Sequence, residues 1–146
     1  MVVAATDFSP AGDAAIAKAY GLAGRSGMVY LVHVLTPRSR SSALAPHDIF
    51  SVSSELADLR RATEEKLRAR VPVRSMLDEK RTELRVLESA ETAEAIAQAA
   101  ERLGADVICL GVGERNDLAK AFMGSVAQGV VKNSERPVLL VRAPRK

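Results

Sequence analysis

Apolar and polar positions along this chain alternate between two periods. Short apolar runs at 2–6, 28–35, 106–111 and 137–142 read as strands. The run at 28–35 is apolar on both faces apart from His33, the pattern of a central parallel strand covered on both sides. A third strand in chain order, at 83–87, alternates, with Leu84 and Val86 inward against Glu83, Arg85 and Leu87. Between the strands the period lengthens to that of a helix. Ala15, Ile16, Ala19, Tyr20 and Ala23 form one stripe within a helix at about 11–23, with Ser9 as N-cap, Pro10 at its first position, and Gly24 and Gly27 at its end. A second helix starts near Ser54, carries Leu56, Leu59, Thr63 and Leu67 on one side, and stops at Pro72. A third, at about 92–103, shows Ala93, Ile96, Ala97, Ala100 and Leu103 and is terminated by Gly104, and a fourth runs from Ser125 to about Asn133. Residues 36–53 have no clear period and read as a surface loop carrying Arg38, Arg40, Pro46 and His47; residues 71–80 hold a short further turn.

Strands joined by helical crossovers make a parallel sheet, and the crossovers are right-handed. Ala-Ile-Ala at 15–17 and again at 95–97, each leading to a strand, marks two βα halves of a doubly wound sheet. Such sheets bind ligands beyond the carboxyl ends of their strands, where the winding reverses. There the first and fourth strands become neighbours, which puts Asp7 opposite Gly111. Beyond Gly111 come Gly113 and then Gly124-Ser125 at the next helix start, the parts that bring backbone N–H groups up to a phosphate. A carboxylate facing a glycine-rich loop is the layout of a nucleotide cleft, with Val34 lining a flat apolar slot for a base. Each part also has a plain structural reading: Asp7 as a turn former, Gly124-Ser125 as a helix cap, His33 as a structural histidine.

Composition narrows the classes. The 146 residues fit one domain spanning 1–146, with 47% apolar and 27% charged residues, as in a soluble globular protein. Aromatics are only 3%, so Ala, Val, Leu and Ile must build the core. The net charge of +3 is spread among acids without aromatic partners for base stacking, which argues against nucleic acid. No apolar stretch is long enough to cross a bilayer. The chain opens on a strand rather than a leader, and its single Cys109 sits mid-strand as a small apolar residue; together these predict a cytoplasmic protein. The abrupt start equally suits a domain of a longer or tandem chain.

Several segments taken in order resemble the universal stress protein family over almost the whole chain. They are Ala5-Thr6-Asp7-Phe8-Ser9, Leu31-Val32-His33-Val34, and Leu103-Gly104-Ala105-Asp106-Val107-Ile108. The most specific is Gly111, twelve residues, then Gly124-Ser125-Val126, followed by Arg136-Pro137-Val138-Leu139-Leu140-Val141. The resemblance implies an α/β fold: a Rossmann-like, doubly wound five-stranded parallel sheet of order 3-2-1-4-5 with helices on both faces. It also implies a homodimer or tandem pair through strand five, at Val138, Leu139, Leu140 and Val141. An apolar strand at a sheet edge supports that on its own, since such an edge pairs unless covered. By the same resemblance Asp7 would contact the ribose or a metal ion such as Mg, Val34 the adenine, and Gly111, Gly124 and Ser125 the phosphates of ATP.

In the ATP-binding pattern of that family the middle glycine falls on Glu114, with Gly113 one place early. Two like charges about 4 Å apart repel by about 4 kcal/mol at an effective dielectric near 20. Relief would come from Glu114 turning to solvent, pairing with Arg115 or holding a divalent ion. Two functions follow. One is a regulatory, stress-response protein with an ATP site and little or no catalysis, since no nucleophile–base pair is visible. The other is an ATP-independent dimeric interaction module with a degraded phosphate loop. An adenylating enzyme would need a glycine-serine loop directly after strand one, and Thr6-Asp7-Phe8-Ser9-Pro10 is not one.

Overall fold

Five parallel strands in the order β3-β2-β1-β4-β5 form the sheet in the computed structural model, which describes residues 1–37, 49–76, 81–113 and 124–143. In chain order these are β1 (Val2–Ala5), α1 (Pro10–Leu22), β2 (Met28–Leu35), α2 (Ile49–Arg68), a 3-10 turn (Val73–Met76), β3 (Arg81–Glu88), α3 (Thr92–Arg102), β4 (Val107–Val112), α4 (Ser125–Asn133) and β5 (Val138–Arg142). The doubly wound sheet and its order are those the sequence implies. In register, Ala5 of β1 lies between Val32 of β2 and Leu110 of β4.

Two apolar layers sandwich the sheet. Ala15, Ile16, Ala19 and Tyr20 of α1 and Leu67 of α2 pack on Val2, Ala4, Val29, Leu31 and Cys109. On the opposite face Ile96 and Ala100 of α3 and Ala127 and Val130 of α4 cover Val3, Ala5, Val32, Val34, Ile108 and Leu110. Small alanines on the helices let them lie close to the β-branched sheet, which is how a core with so few aromatics fills its volume. Cys109 is fully buried, and desolvation pushes its thiol up to about 11.

The helix ends follow elementary capping. Ser9 caps α1, its Oγ accepting from the Gly12 N–H at 3.2 Å, with Pro10 at the first position. Gly24 and Gly104 take φ of 67° and 64° just beyond α1 and α3, the left-handed turn that stops a helix.

Two expectations are corrected. α2 begins at Ile49 rather than near Ser54, so residues 49–53 are helical and not loop. Ile49 and Val52 extend the spacing of Leu56, Leu59, Thr63 and Leu67 backwards, but the serines at 51, 53 and 54 hide it. In β3, Leu87 does not face away from the core: Leu84 and Val86 join the α1/α2 layer while Leu87 packs against the layer under α3. A strand covered on both sides has no apolar-free face. As an edge strand β3 keeps Arg81, Arg85 and Glu88 exposed, whereas β5 at the other edge is Val-Leu-Leu-Val with Leu139 37% exposed.

Candidate functional site

A cleft of about 390 Å³ opens beyond the carboxyl ends of β1 and β4. Asp7, Val34, Gly111, Gly113, Gly124, Ser125 and Val126, the residues singled out from sequence, all line it. Its floor is apolar, made by Ala5, Val32, Val34, Leu110 and Ile96. Thr36, just after β2, and Thr92, at the start of α3, also line it. Thr92 and Ile96 were not anticipated as site residues. Ile96 was visible only as part of a helical core stripe, and the handedness of the α3 crossover is what brings that stripe's first turn to the cleft. His47 and Glu114 lie outside the described residues.

The turn from β1 into α1 presents Asp7. Its Oδ1 accepts the Ser9 N–H at 3.0 Å, closing an Asx turn. Asp7 is thus both turn former and cleft residue. Burial works against its charge, but hydrogen bonding from Ser9, aided by His33, outweighs this and holds the carboxyl below its ordinary value of 3.8. It is the one carboxylate among the described residues of the lining. Phe8 follows with φ of 66°, a left-handed conformation that costs a non-glycine residue about 1–2 kcal/mol. Its N–H is bound by Thr6 Oγ1 at 2.9 Å.

His33 has the structural role expected of a lone strand histidine. Its Nδ1–H donates to the Thr6 carbonyl at 2.8 Å, which fixes the tautomer, and its ring stacks on Phe8 at 4.5 Å and 28°. Burial lowers its pKa from 6.5, against the opposing effects of the Thr6 bond and Asp7, with Lys66 adding to the depression.

The three glycines differ in kind. A Cβ on Gly111 would lie 2.3 Å from the Ala11 carbonyl carbon and 2.4 Å from the Gly12 nitrogen. The close approach of β4 to α1 is therefore enough to require glycine at 111, whose backbone also lines the cleft. Gly113 and Gly124 have nothing within 4 Å of such a Cβ among the described residues, and both face the cleft. Neither needs to be glycine for packing, and at both a ligand's backbone contact has room. Gly124 itself is the N-cap of α4 and Ser125 is its first helical residue, so the expected serine cap is not made. At α3 the cap is Glu91, which makes no side-chain cap bond. Two helix starts without side-chain caps thus border the cleft, each with N–H groups that suit an anion.

The sequence profile of the universal stress protein family matches residues 1–142. Universal stress protein MJ0577 of Methanocaldococcus jannaschii is 28% identical over 152 residues, covering 94% of this chain and 91% of that protein. A second protein of that organism, universal stress protein MJ0531, is 41% identical over 51 residues, 35% of this chain and 30% of that protein's length. Among solved structures, that of MJ0577 superposes with a TM-score of 0.75 at 22% identity, covering 99% of this chain and 96% of that one. A universal stress protein of Archaeoglobus fulgidus in complex with dAMP superposes at 0.57 and 21% identity, over 96% and 95% of the two chains. A universal stress protein in complex with cAMP gives 0.61 at 20%, over 98% and 96%.

Proposed function

The chain belongs to the universal stress protein family, and on that premise we propose that its switch-point cleft holds an adenine nucleotide, in the first instance ATP, in a regulatory rather than catalytic role. The observation that carries the reading is the convergence of seven sequence-selected residues on one cleft, with Gly113 and Gly124 leaving open space where side chains would stand. Val34, Val32 and Ile96 offer a flat apolar bed for the base. The first turns of α3 and α4 offer N–H groups to phosphate, as helix starts do. Asp7, ionised at neutral pH, suits ribose hydroxyls or, with the phosphates and water, a Mg ion. The complexes of relatives with dAMP and cAMP favour the same ligand class.

Gly111, Gly124 and Ser125 take the phosphate side, and Val126 closes the slot behind them. A second copy or a tandem domain pairs along β5 through Val138, Leu139, Leu140 and Val141, and the site of action is cytoplasmic. The dimeric module without ATP is favoured by one specific observation, Glu114 in the sequence where the ATP-binding pattern has its middle glycine.

The deciding experiment denatures the purified protein, assays the supernatant for adenine nucleotide, and measures melting with ATP·Mg. Ligand at about 100 times its dissociation constant adds roughly 2.7 kcal/mol of stability. A clear rise in melting temperature supports the nucleotide site. No rise in the unaltered protein but a rise in Glu114→Gly supports the degraded loop. No rise in either refutes the nucleotide site.

A further inference from the structure

The Asp7 turn is braced from the far side of the sheet. Val32 and Val34 belong to the cleft-side layer, so His33 between them faces α1 and α2. From there it reaches both neighbours of Asp7: Nδ1–H donates to the carbonyl of Thr6, and the ring stacks on Phe8. Phe8 is held again from outside. The Arg70 guanidinium lies 4.7 Å from its ring centre and donates to its carbonyl at 3.5 Å, while Arg70 Nε is fixed by Asp13 Oδ1 at 2.7 Å. Lys66 stands 5.8 Å from the same ring. A left-handed Phe persists only where its surroundings over-determine it, and such strain gathers at sites that must present a group in one geometry. Here the group presented is Asp7. Its Oδ1 is occupied by Ser9 N–H at 3.0 Å, which anchors the carboxylate to the turn.

We propose that His33 is a positioning residue for the nucleotide cleft: by bonding Thr6 and stacking on Phe8 it holds the strained turn that offers Asp7 to the ligand. The inference rests on the nucleotide reading above. His33 is itself on the cleft lining, but with its ring bonded to Thr6 and stacked on Phe8 it acts through Asp7. Its contribution to affinity is therefore contained in that of Asp7 rather than added to it.

Calorimetric titration with ATP·Mg tests this on the unaltered protein and on Asp7→Asn, His33→Phe, His33→Asn, Phe8→Gly and the double variant Asp7→Asn/His33→Phe. Phenylalanine keeps the stack and loses the donor; asparagine places an N–H where Nδ1–H stood. Asp7→Asn and His33→Phe should each weaken ATP about tenfold, the scale of a hydrogen bond to a charged group. His33→Asn should stay within about twofold, and the double variant should be no weaker than Asp7→Asn alone. Phe8→Gly, which relieves the left-handed strain and so keeps the fold, should also weaken ATP. A carboxyl NMR titration reads the same device without ligand: Asp7 should titrate below 3.8 in the unaltered protein and His33→Asn, and return towards it in His33→Phe. Additive losses, a His33→Asn as weak as His33→Phe, or an Asp7 titration unmoved by His33→Phe would overturn the proposal. If the unaltered protein binds no ATP, the nucleotide reading falls, and the Asp7 titration still decides whether His33 positions the carboxylate.

Discussion

Gly111→Ala is the sharpest single perturbation of this fold. The added methyl carbon would stand 2.3 Å from the Ala11 carbonyl carbon, 2.4 Å from the Gly12 nitrogen and 2.5 Å from the Ala11 carbonyl oxygen. Non-bonded carbons settle at about 3.5–4.0 Å, so the first turn of α1 must retreat by roughly 1 Å. All three obstructing atoms are backbone, so no rotamer change can relieve them. Overpacking of this kind costs about 1–3 kcal/mol, and a backbone obstruction belongs at the upper end. Against this, replacing glycine lowers the entropy of the unfolded chain by about 0.4–1 kcal/mol. The net loss is about 2 kcal/mol, or a melting temperature lower by roughly 6 °C for a chain of this size. Gly113→Ala, with nothing near its Cβ among the described residues, should melt within about 2 °C of the unaltered protein while weakening ATP. Differential scanning calorimetry of both variants is the assay. A Gly111→Ala that melts with the unaltered protein, or a Gly113→Ala that loses as much, would refute the division of the loop into a packing glycine and a ligand-facing one.

Three further outcomes are expected. Stability should fall on acidification: His33, its pKa depressed by burial and by Lys66 against the opposing Thr6 bond and Asp7, is protonated more readily unfolded, so stability drops as pH falls below 6.5. Asp7, depressed despite its burial, adds a second loss below 3.8, and melting curves from pH 7.5 to 3 should show both limbs, the first absent in His33→Asn. Leu31→Ala, on a fully buried side chain in the interior strand β2, should cost about 3–4 kcal/mol in urea unfolding, and a loss under about 1 kcal/mol would contradict the packing described. Leu139→Lys on β5 should leave the chain monomeric in sedimentation while the unaltered protein is dimeric; equal sedimentation of the two would rule out pairing along β5.

Most elements were legible because each carries its own local signal, whereas the sheet order came with the family resemblance. Ser9-Pro10 opens α1, Gly24 and Gly104 close α1 and α3, and the run at 28–35, apolar but for His33, identifies a doubly covered strand. The start of α2 was illegible because serine is compatible with both cap and helix interior, and only Ile49 and Val52 betray the period. At the site, chain position alone places Asp7 and the glycines together, since the switch point follows from the winding. What sequence could not separate was the reason for each glycine. Gly111 and Gly113 are two residues apart and look alike, yet one is fixed by the helix behind it and the other by nothing within the described protein. The bracing of Phe8 was equally hidden, because a positive φ at a phenylalanine has no sequence signature and its partners, His33 and Arg70, come from distant segments.

The two margins of the sheet are unlike, and this limits how copies of the chain can add to one another. Along β3, Arg81, Arg85 and Glu88 stand exposed, charges that would be stranded if another strand were laid against them. Along β5 Leu139 stands exposed between the half-buried Val138 and Leu140, and charge enters only at the strand's end with Arg142. A protein with one adhesive margin and one blunt margin cannot polymerise by adding sheet to sheet. If copies pair along β5 as proposed above, like joins like around a two-fold axis, that margin is used up on each copy, and assembly stops at two. On that reading the charges on β3 are a terminator of growth, and substituting them with valine or isoleucine would open a route to fibres.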